Sequence, residues 1–157
     1  MSNNAKNNEI KVFIVDDHPI VRLGIRLSLS KEDGIHIIGE AGTAREATNA
    51  LRRIHPDVVL MDINLPDGNG LDLTKEIVKD NDSVRVIMLS TYDSDEFVER
   101  SVRAGASGYC TKDLFPEELS QVITSVHSRE KFCDRRTSEN REANDLHSNV
   151  RRKEGPR

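Results

Sequence analysis

Short apolar runs recur along the chain. Each closes abruptly on polar or turn-forming residues, and segments of helical spacing lie between them. Residues 10–15 read as a buried strand that ends in Asp16-Asp17-His18-Pro19. Pro19 suits the first turn of a helix, where its missing N–H costs nothing. That helix is expected to run to about Ser30, with Ile20, Leu23 and Leu27 on its core-facing stripe and Val21 and Ile25 beside it. Gly24 in its interior is either a mild penalty or a close packing contact. Residues 35–40 predict a second strand. Thr43 and Glu46 then have the spacing of a capping box, and Ala47, Ala50, Leu51 and Ile54 follow at i, i+3, i+4 and i+7. Helix is disfavoured at His55, the residue before Pro56.

Residues 58–61 are an unbroken apolar run that stops at Asp62, followed by the turn residues of 66–70. Leu73, Ile77 and Val78 predict a third helix over 70–80. Residues 84–89 form a fourth strand ending in Ser90-Thr91-Tyr92. Asp93 is expected to cap a fourth helix whose apolar stripe, Phe97, Val98 and Val102, is thin. Residues 105–108 break it, and 109–111 form a last strand ending in Lys112-Asp113. Pro116 opens a fifth helix with Leu119, Val122, Ile123 and Val126 at i, i+3, i+4 and i+7. Strands and helices thus alternate five times. Such alternation implies right-handed crossovers and an α/β fold: a doubly wound five-stranded parallel sheet with helices on both faces.

Composition narrows the class. The 157 residues suffice for one ordinary domain, and at 36% hydrophobic and 4% aromatic its core is modest and aliphatic. No run approaches the roughly 18 apolar residues needed to cross a bilayer, and the polar start lacks a signal-peptide core. Cys110 lies in an apolar run and reads as a buried thiol, which fits a reducing cytoplasm. The net charge of −4 is uneven: −7 over residues 1–128 and +3 over 129–157. An acidic body argues against that body binding nucleic acid. The expected organisation is a disordered lead-in at 1–9, one domain over 10–128, and a linker or tail at 129–157. That tail is too poor in apolar residues to fold, and no DNA-binding domain is read in it.

Four strand ends carry polar residues: Asp16 and Asp17, Asp62, Ser90, and Lys112. In an open parallel sheet, chemistry sits outside the carboxyl ends of the strands. Singly, each has a bland role as a helix cap, a solvated cation or a local hydrogen-bond donor. Together they make a constellation. Three carboxylates repel one another in a partly desolvated cleft, and Mg²⁺ with oxygen ligands relieves that repulsion. Asp62 is the natural nucleophile for an aspartyl-phosphate, with Lys112 and Ser90 as donors to the phosphoryl oxygens. His18 adjoins the acidic pair and reads as a loop or surface histidine, because no second His or Cys stands at ligand spacing.

Four segments carry a resemblance to a known family: 15–19 (Val-Asp-Asp-His-Pro), 61–70 (Met-Asp-Ile-Asn-Leu-Pro-Asp-Gly-Asn-Gly), 88–92 (Met-Leu-Ser-Thr-Tyr) and 104–113 (Ala-Gly-Ala-Ser-Gly-Tyr-Cys-Thr-Lys-Asp). Over residues 10–128 the chain resembles a response-regulator receiver domain of bacterial two-component systems. Asp-His-Pro and Lys-Asp match its NarL/FixJ subfamily. The resemblance implies a (βα)5 flavodoxin-like receiver fold. It implies Asp62 as acceptor of a phosphoryl group from a sensor histidine kinase, and Mg²⁺ held by Asp16, Asp17, Asp62 and the main-chain carbonyl of Asn64. Lys112 and Ser90 would bind the phosphoryl group, and Ser90 and Tyr109 would be the switch pair, the ring turning into space that Ser90 vacates. It further implies a phosphoprotein that is no enzyme beyond its own phosphorylation and dephosphorylation. Such a protein is cytoplasmic, dimerises on phosphorylation, and regulates transcription through a helix-turn-helix domain not read in this chain. A stand-alone phosphorelay or interaction receiver is the alternative. A Mg²⁺-dependent phosphatase is a more distant one, disfavoured because Asn64 stands where such enzymes carry a second Asp.

Overall fold

The computed structural model describes residues 9–113, 116–128 and 131–136. The elements run β1 (Ile10–Val15), α1 (Pro19–Leu29), β2 (Ile35–Ala41), α2 (Ala44–Leu51), β3 (Val58–Asp62), a small hairpin of β4 (Asn64–Leu65) and β5 (Gly68–Asn69), α3 (Gly70–Asp80), β6 (Arg85–Ser90), α4 (Asp95–Ala104), β7 (Gly108–Thr111), α5 (Pro116–His127) and β8 (Cys133–Arg135). The main sheet has the order β2-β1-β3-β6-β7-β8, and its pairings are parallel. The doubly wound α/β fold read from the alternation is present, with one more strand than expected. That strand, β8, lies beyond residue 128, in the stretch read as linker, and pairs Gly108 with Cys133 and Cys110 with Arg135. Three residues carry no usable periodicity, so β8 left no signal. Of the lead-in read at 1–9 and the tail read at 129–157, residues 1–8, 129–130 and 137–157 lie outside the described residues.

Alternation along the strands divides the core in two. Phe13, Val15, Val59, Met61, Val86 and Met88 face one way, against Ala47 of α2, Leu73 of α3 and Ala104 of α4. Val12, Ile14, Val58, Leu60, Ile87 and Leu89 face the other way, against Ile25 and Leu29 of α1 and Leu119, Val122, Ile123 and Val126 of α5. Helices therefore cover both faces, and the central strands are buried on both, as near-continuous apolar runs require.

Helix α1 corrects the expected stripe. Val21, Ile25 and Leu29 turn to the sheet, while Ile20, Leu23 and Leu27 are 79%, 45% and 60% exposed. The two stripes lie on roughly opposite faces at helical spacing, and the sheet can take only one. Gly24 is no packing contact, because nothing lies within 4 Å of where its Cβ would stand. Replacing Gly24 with Ala is expected to stabilise the fold by about 0.5–1 kcal/mol in urea unfolding. A destabilised variant would contradict this helix packing.

Side-chain caps fix the starts of α2, α3 and α4. Thr43 accepts from the Glu46 N–H at 3.0 Å, while Glu46 Oε2 accepts from the Gly42 N–H at 3.0 Å, one residue earlier than in a strict capping box. The next two donors of α2 are taken from afar: Asp67 accepts from the Ala44 and Arg45 N–H groups at 2.7 and 3.0 Å. These bonds hold its carboxyl below the usual aspartate range and pin the hairpin loop to α2. Helix α4 is capped by Ser94, whose hydroxyl accepts from the Phe97 N–H at 3.4 Å, and not by Asp93 as expected. Gly105 ends it with φ at 94°, a left-handed conformation that favours glycine. Val102 of the expected stripe is exposed.

Candidate functional site

Parallel registry gathers the strand ends. Val15 pairs with Met61, so the next residues, Asp16 and Asp62, stand level at the carboxyl edge. Ser90 pairs with Thr111, which puts Lys112 at the same edge, and the Lys112 N–H donates to the Ser90 carbonyl at 2.9 Å. Gly70 keeps this edge compact. A Cβ there would lie 1.9 Å from the Asp62 carbonyl oxygen, so α3 can start against the site only at a glycine.

Lys112 Nζ lies 2.8 Å from Asp16 Oδ2 and 3.1 Å from Asp62 Oδ2. Asp16 is 0% and Asp62 4% exposed. Burial raises the Asp62 carboxyl above the usual aspartate range; the Lys112 charge opposes this and the Asp16 charge adds to it. Burial disfavours the Lys112 ammonium, but its bond to Asp16 and the charges of both carboxylates outweigh that and hold it above the usual lysine range. One cation thus serves two buried anions, which leaves the cluster short of positive charge. Asp16 Oδ2, Asp17 Oδ1 and Asp62 Oδ2 are buried without a hydrogen bond of good geometry; charge contacts to Lys112 or His18 are what they have. Ligand atoms of Asp16, Asp17, His18 and Asp62 lie within 4.8 Å of one another. A mostly carboxylate donor set short of cations suits a hard divalent ion.

His18 is an exposed loop histidine, as read, and it also meets the acidic cluster. Its ring stands over the acidic cluster, with Nδ1 2.9 Å from Asp16 Oδ1 and 3.0 Å from Asp17 Oδ1. Arg22 also went unread: Nη1 donates to the Asp16 main-chain carbonyl at 2.6 Å and Nε to Glu40 at 3.1 Å, tying α1 to the site loop. A basic residue on an amphipathic helix gives no sign of which carbonyl it will meet.

The remaining predicted residues sit beside the cluster. The Asn64 N–H donates to Asp62 Oδ1 at 3.3 Å, and Asn64 Nδ2 donates to the Tyr92 hydroxyl at 3.2 Å. Ser90 Oγ accepts from the Tyr92 N–H at 2.9 Å. Tyr109 is fully buried and its hydroxyl donates to the Tyr92 carbonyl. Burial also raises that phenol above its usual range. The Tyr109 ring therefore lies in the interior. Tyr92 is the node that sequence reading undervalued. It contacts Asn64, Ser90 and Tyr109, and its ring stacks on Phe97 with centroids 4.4 Å apart.

The pattern that defines the response regulator receiver domain matches residues 12–124. The chain belongs to this family. It is 36% identical over 129 residues to the DNA-binding transcriptional activator DevR/DosR of Mycobacterium tuberculosis, covering 82% of this chain and 59% of that protein. To the response regulator UvrY of Escherichia coli it is 37% identical over 123 residues, 78% of this chain and 56% of the relative. The receiver thus spans a little over half the length of these relatives. Among solved structures it is similar to a LuxR-family two-component response regulator from Aurantimonas (TM-score 0.78, 31% identity, 91% of this chain and 99% of that one). It is also similar to the isolated receiver domain of RcsB from Salmonella enterica with a beryllofluoride phosphomimetic (TM-score 0.74, 27% identity, 80% and 94%). These are LuxR- and NarL-type regulators, as Asp-His-Pro and Lys-Asp suggested, and the flavodoxin-like receiver fold is shared with them.

Proposed function

We propose that this receiver accepts a phosphoryl group on Asp62 from the phosphohistidine of a sensor histidine kinase. The observation that carries the reading is the arrangement of Asp62 with Asp16, Asp17 and Lys112: a buried carboxylate in contact with one ammonium and beside two further acids. An Asp62 carboxylate oxygen attacks the phosphorus, a P–O bond forms, the donor P–N bond breaks, and the leaving imidazole takes a proton from solvent. Burial strips the carboxylate of water and leaves it reactive. Lys112 is already charged and placed to receive a phosphoryl oxygen, and the Ser90 hydroxyl is free to turn its hydrogen to another. Asp16, Asp17, Asp62 and the Asn64 carbonyl would hold Mg²⁺, which supplies charge neutralisation for the clustered oxygens.

The added group brings roughly −1.5 to −2 charges and three acceptor oxygens. The Ser90 hydroxyl turns its hydrogen toward the new oxygens while its own oxygen keeps the Tyr92 N–H, and Tyr109 stays bonded to the Tyr92 carbonyl. The kinase, a second copy of the chain on phosphorylation, and DNA through a further domain are the partners we infer. Support comes from a relative described as a DNA-binding transcriptional activator and from the exposed apolar stripe of α1, a surface suited to protein contact. Among the described residues no helix is long and apolar enough to cross a membrane. The buried thiol of Cys110 supports a reducing, cytoplasmic setting.

Incubation with acetyl phosphate and Mg²⁺ is expected to add one phosphoryl group by intact-mass analysis, and EDTA is expected to prevent it. Equal incorporation in EDTA would contradict the proposed metal requirement.

A further inference from the structure

Arg136 is the one charged residue beyond α5 that the fold buries among the described residues, at 6% exposure. Its guanidinium is shared between two parts of the chain. Nε and Nη2 bond Asp134 at 2.8–3.2 Å, within its own segment. Nη1 reaches across to the start of α4, 2.7 Å from Asp95 Oδ1 and 3.8 Å from Asp93 Oδ1. Strand β8, which precedes it, is short. It has three residues, a ladder to β7, the Cys133 N–H on the Ser107 carbonyl at 3.1 Å, and Phe132 and Cys133 packed against the two cores.

The partner of Arg136 is the connection between β6 and α4. That connection begins at Ser90, at the phosphoacceptor edge, and continues through Tyr92, whose N–H and carbonyl are bound to Ser90 and Tyr109. It ends at Asp93 and Asp95 on Arg136. A single six-residue stretch, 90–95, therefore contacts the site at one end and the chain beyond α5 at the other.

We propose that Arg136 is a positioning residue that couples the phosphoacceptor site to the chain leaving the receiver, through the shared 90–95 stretch. The inference rests on the reading of Asp62 as phosphoacceptor. Its sign follows from coexistence. The buried Tyr109, the Ser90–Tyr92 bond and the Arg136–Asp95 pair belong to one arrangement, so a phosphoryl group that holds Ser90 in place strengthens the Arg136 clamp and seats β8. Linkage makes this reciprocal: the clamp favours the phosphoryl group by the same factor. The carboxylates at the start of α4 also explain why an arginine is tolerated at the positive end of a helix.

Amide hydrogen exchange of residues 131–136, with and without Mg²⁺ and beryllofluoride, tests this. In the wild-type chain, beryllofluoride is expected to slow exchange in β8 by about fivefold to tenfold. Arg136→Gln exchanges fast in both conditions, and its affinity for beryllofluoride falls by the factor lost in β8. Asp95→Asn changes an exposed carboxylate outside the core and gives the same effects more weakly. The double variant is no worse than Arg136→Gln alone. Fluorine NMR of bound beryllofluoride separates the two levels of failure. No bound signal, or one that persists in Asp62→Asn, sinks the phosphoacceptor reading and the coupling with it. A bound signal lost in Asp62→Asn, with β8 exchange unchanged in the wild type or equally responsive in Arg136→Gln, overturns the coupling alone.

Discussion

Replacing Asp62 with Asn is expected to abolish phosphoryl incorporation and, at the same time, to make the protein more stable. The first effect removes the nucleophile. The second follows from burial. The carboxyl is raised above the ordinary aspartate range by desolvation, with Asp16 adding repulsion and Lys112 only partly offsetting both. A group whose acid form is favoured on folding costs stability once it ionises. The cost is absent below the ordinary aspartate pKa, grows as pH rises through the raised folded value, and is fully present above it. The amide removes the charge without orphaning a partner, because Lys112 keeps Asp16 at 2.8 Å. A gain in stability at neutral pH is expected, shrinking toward acid. Urea unfolding of both proteins across pH measures it. A loss of stability at neutral pH would mean that Asp62 is a structural anchor.

Replacing Lys112 with Ala has the opposite sign. It leaves Asp16, which has no exposed surface, beside Asp62 and Asp17 with no ammonium among them. Breaking a buried pair by removing one member typically costs several kcal/mol. Here the Asp16 bonds to His18 remain, at 2.8 and 2.9 Å, so roughly 2–4 kcal/mol is expected. The pair is present at neutral pH, because a lysine raised on folding contributes fully below its unfolded pKa and loses that contribution only as pH rises through the folded one. Mg²⁺ is expected to restore stability to the variant more than it adds to the wild type, since the acids then lack the Lys112 ammonium. Thermal unfolding with and without Mg²⁺ reports both effects. An unchanged midpoint in the variant would remove Lys112 from the account of the site.

Much of this was legible in the amino-acid order because the relevant signals are local. Residues 58–61 are apolar without a break, which only a strand buried on both faces requires, and the abrupt change at Asp62 marks its end. Leu119, Val122, Ile123 and Val126 repeat at helical spacing, and all four are buried. Once the alternation implied a parallel sheet, Asp16, Asp62, Ser90 and Lys112 had to share an edge.

What stayed hidden depends on long-range choices. Helix α1 carries apolar stripes on opposite faces, and nothing local says that Ile25 and Leu29, and not Ile20 and Leu27, meet the sheet. Asp67 caps a helix more than 20 residues away, and Arg136 pairs with Asp95 across 41 residues. Strand β8 forms because the edge of β7 offers backbone partners, which its own three residues do not announce. The sequence also does not show that His18, an exposed loop histidine, lies over the cluster, because its contacts to Asp16 and Asp17 are set by the turn at 16–19.

The most direct test of the central claim is borohydride trapping. Reduction of an aspartyl-phosphate with sodium borohydride leaves homoserine at the residue that held the phosphoryl group. After acetyl phosphate and Mg²⁺, peptide mapping is expected to find homoserine at position 62 and at no other aspartate. Homoserine at position 16 or 17, or incorporation with position 62 unchanged, would contradict it.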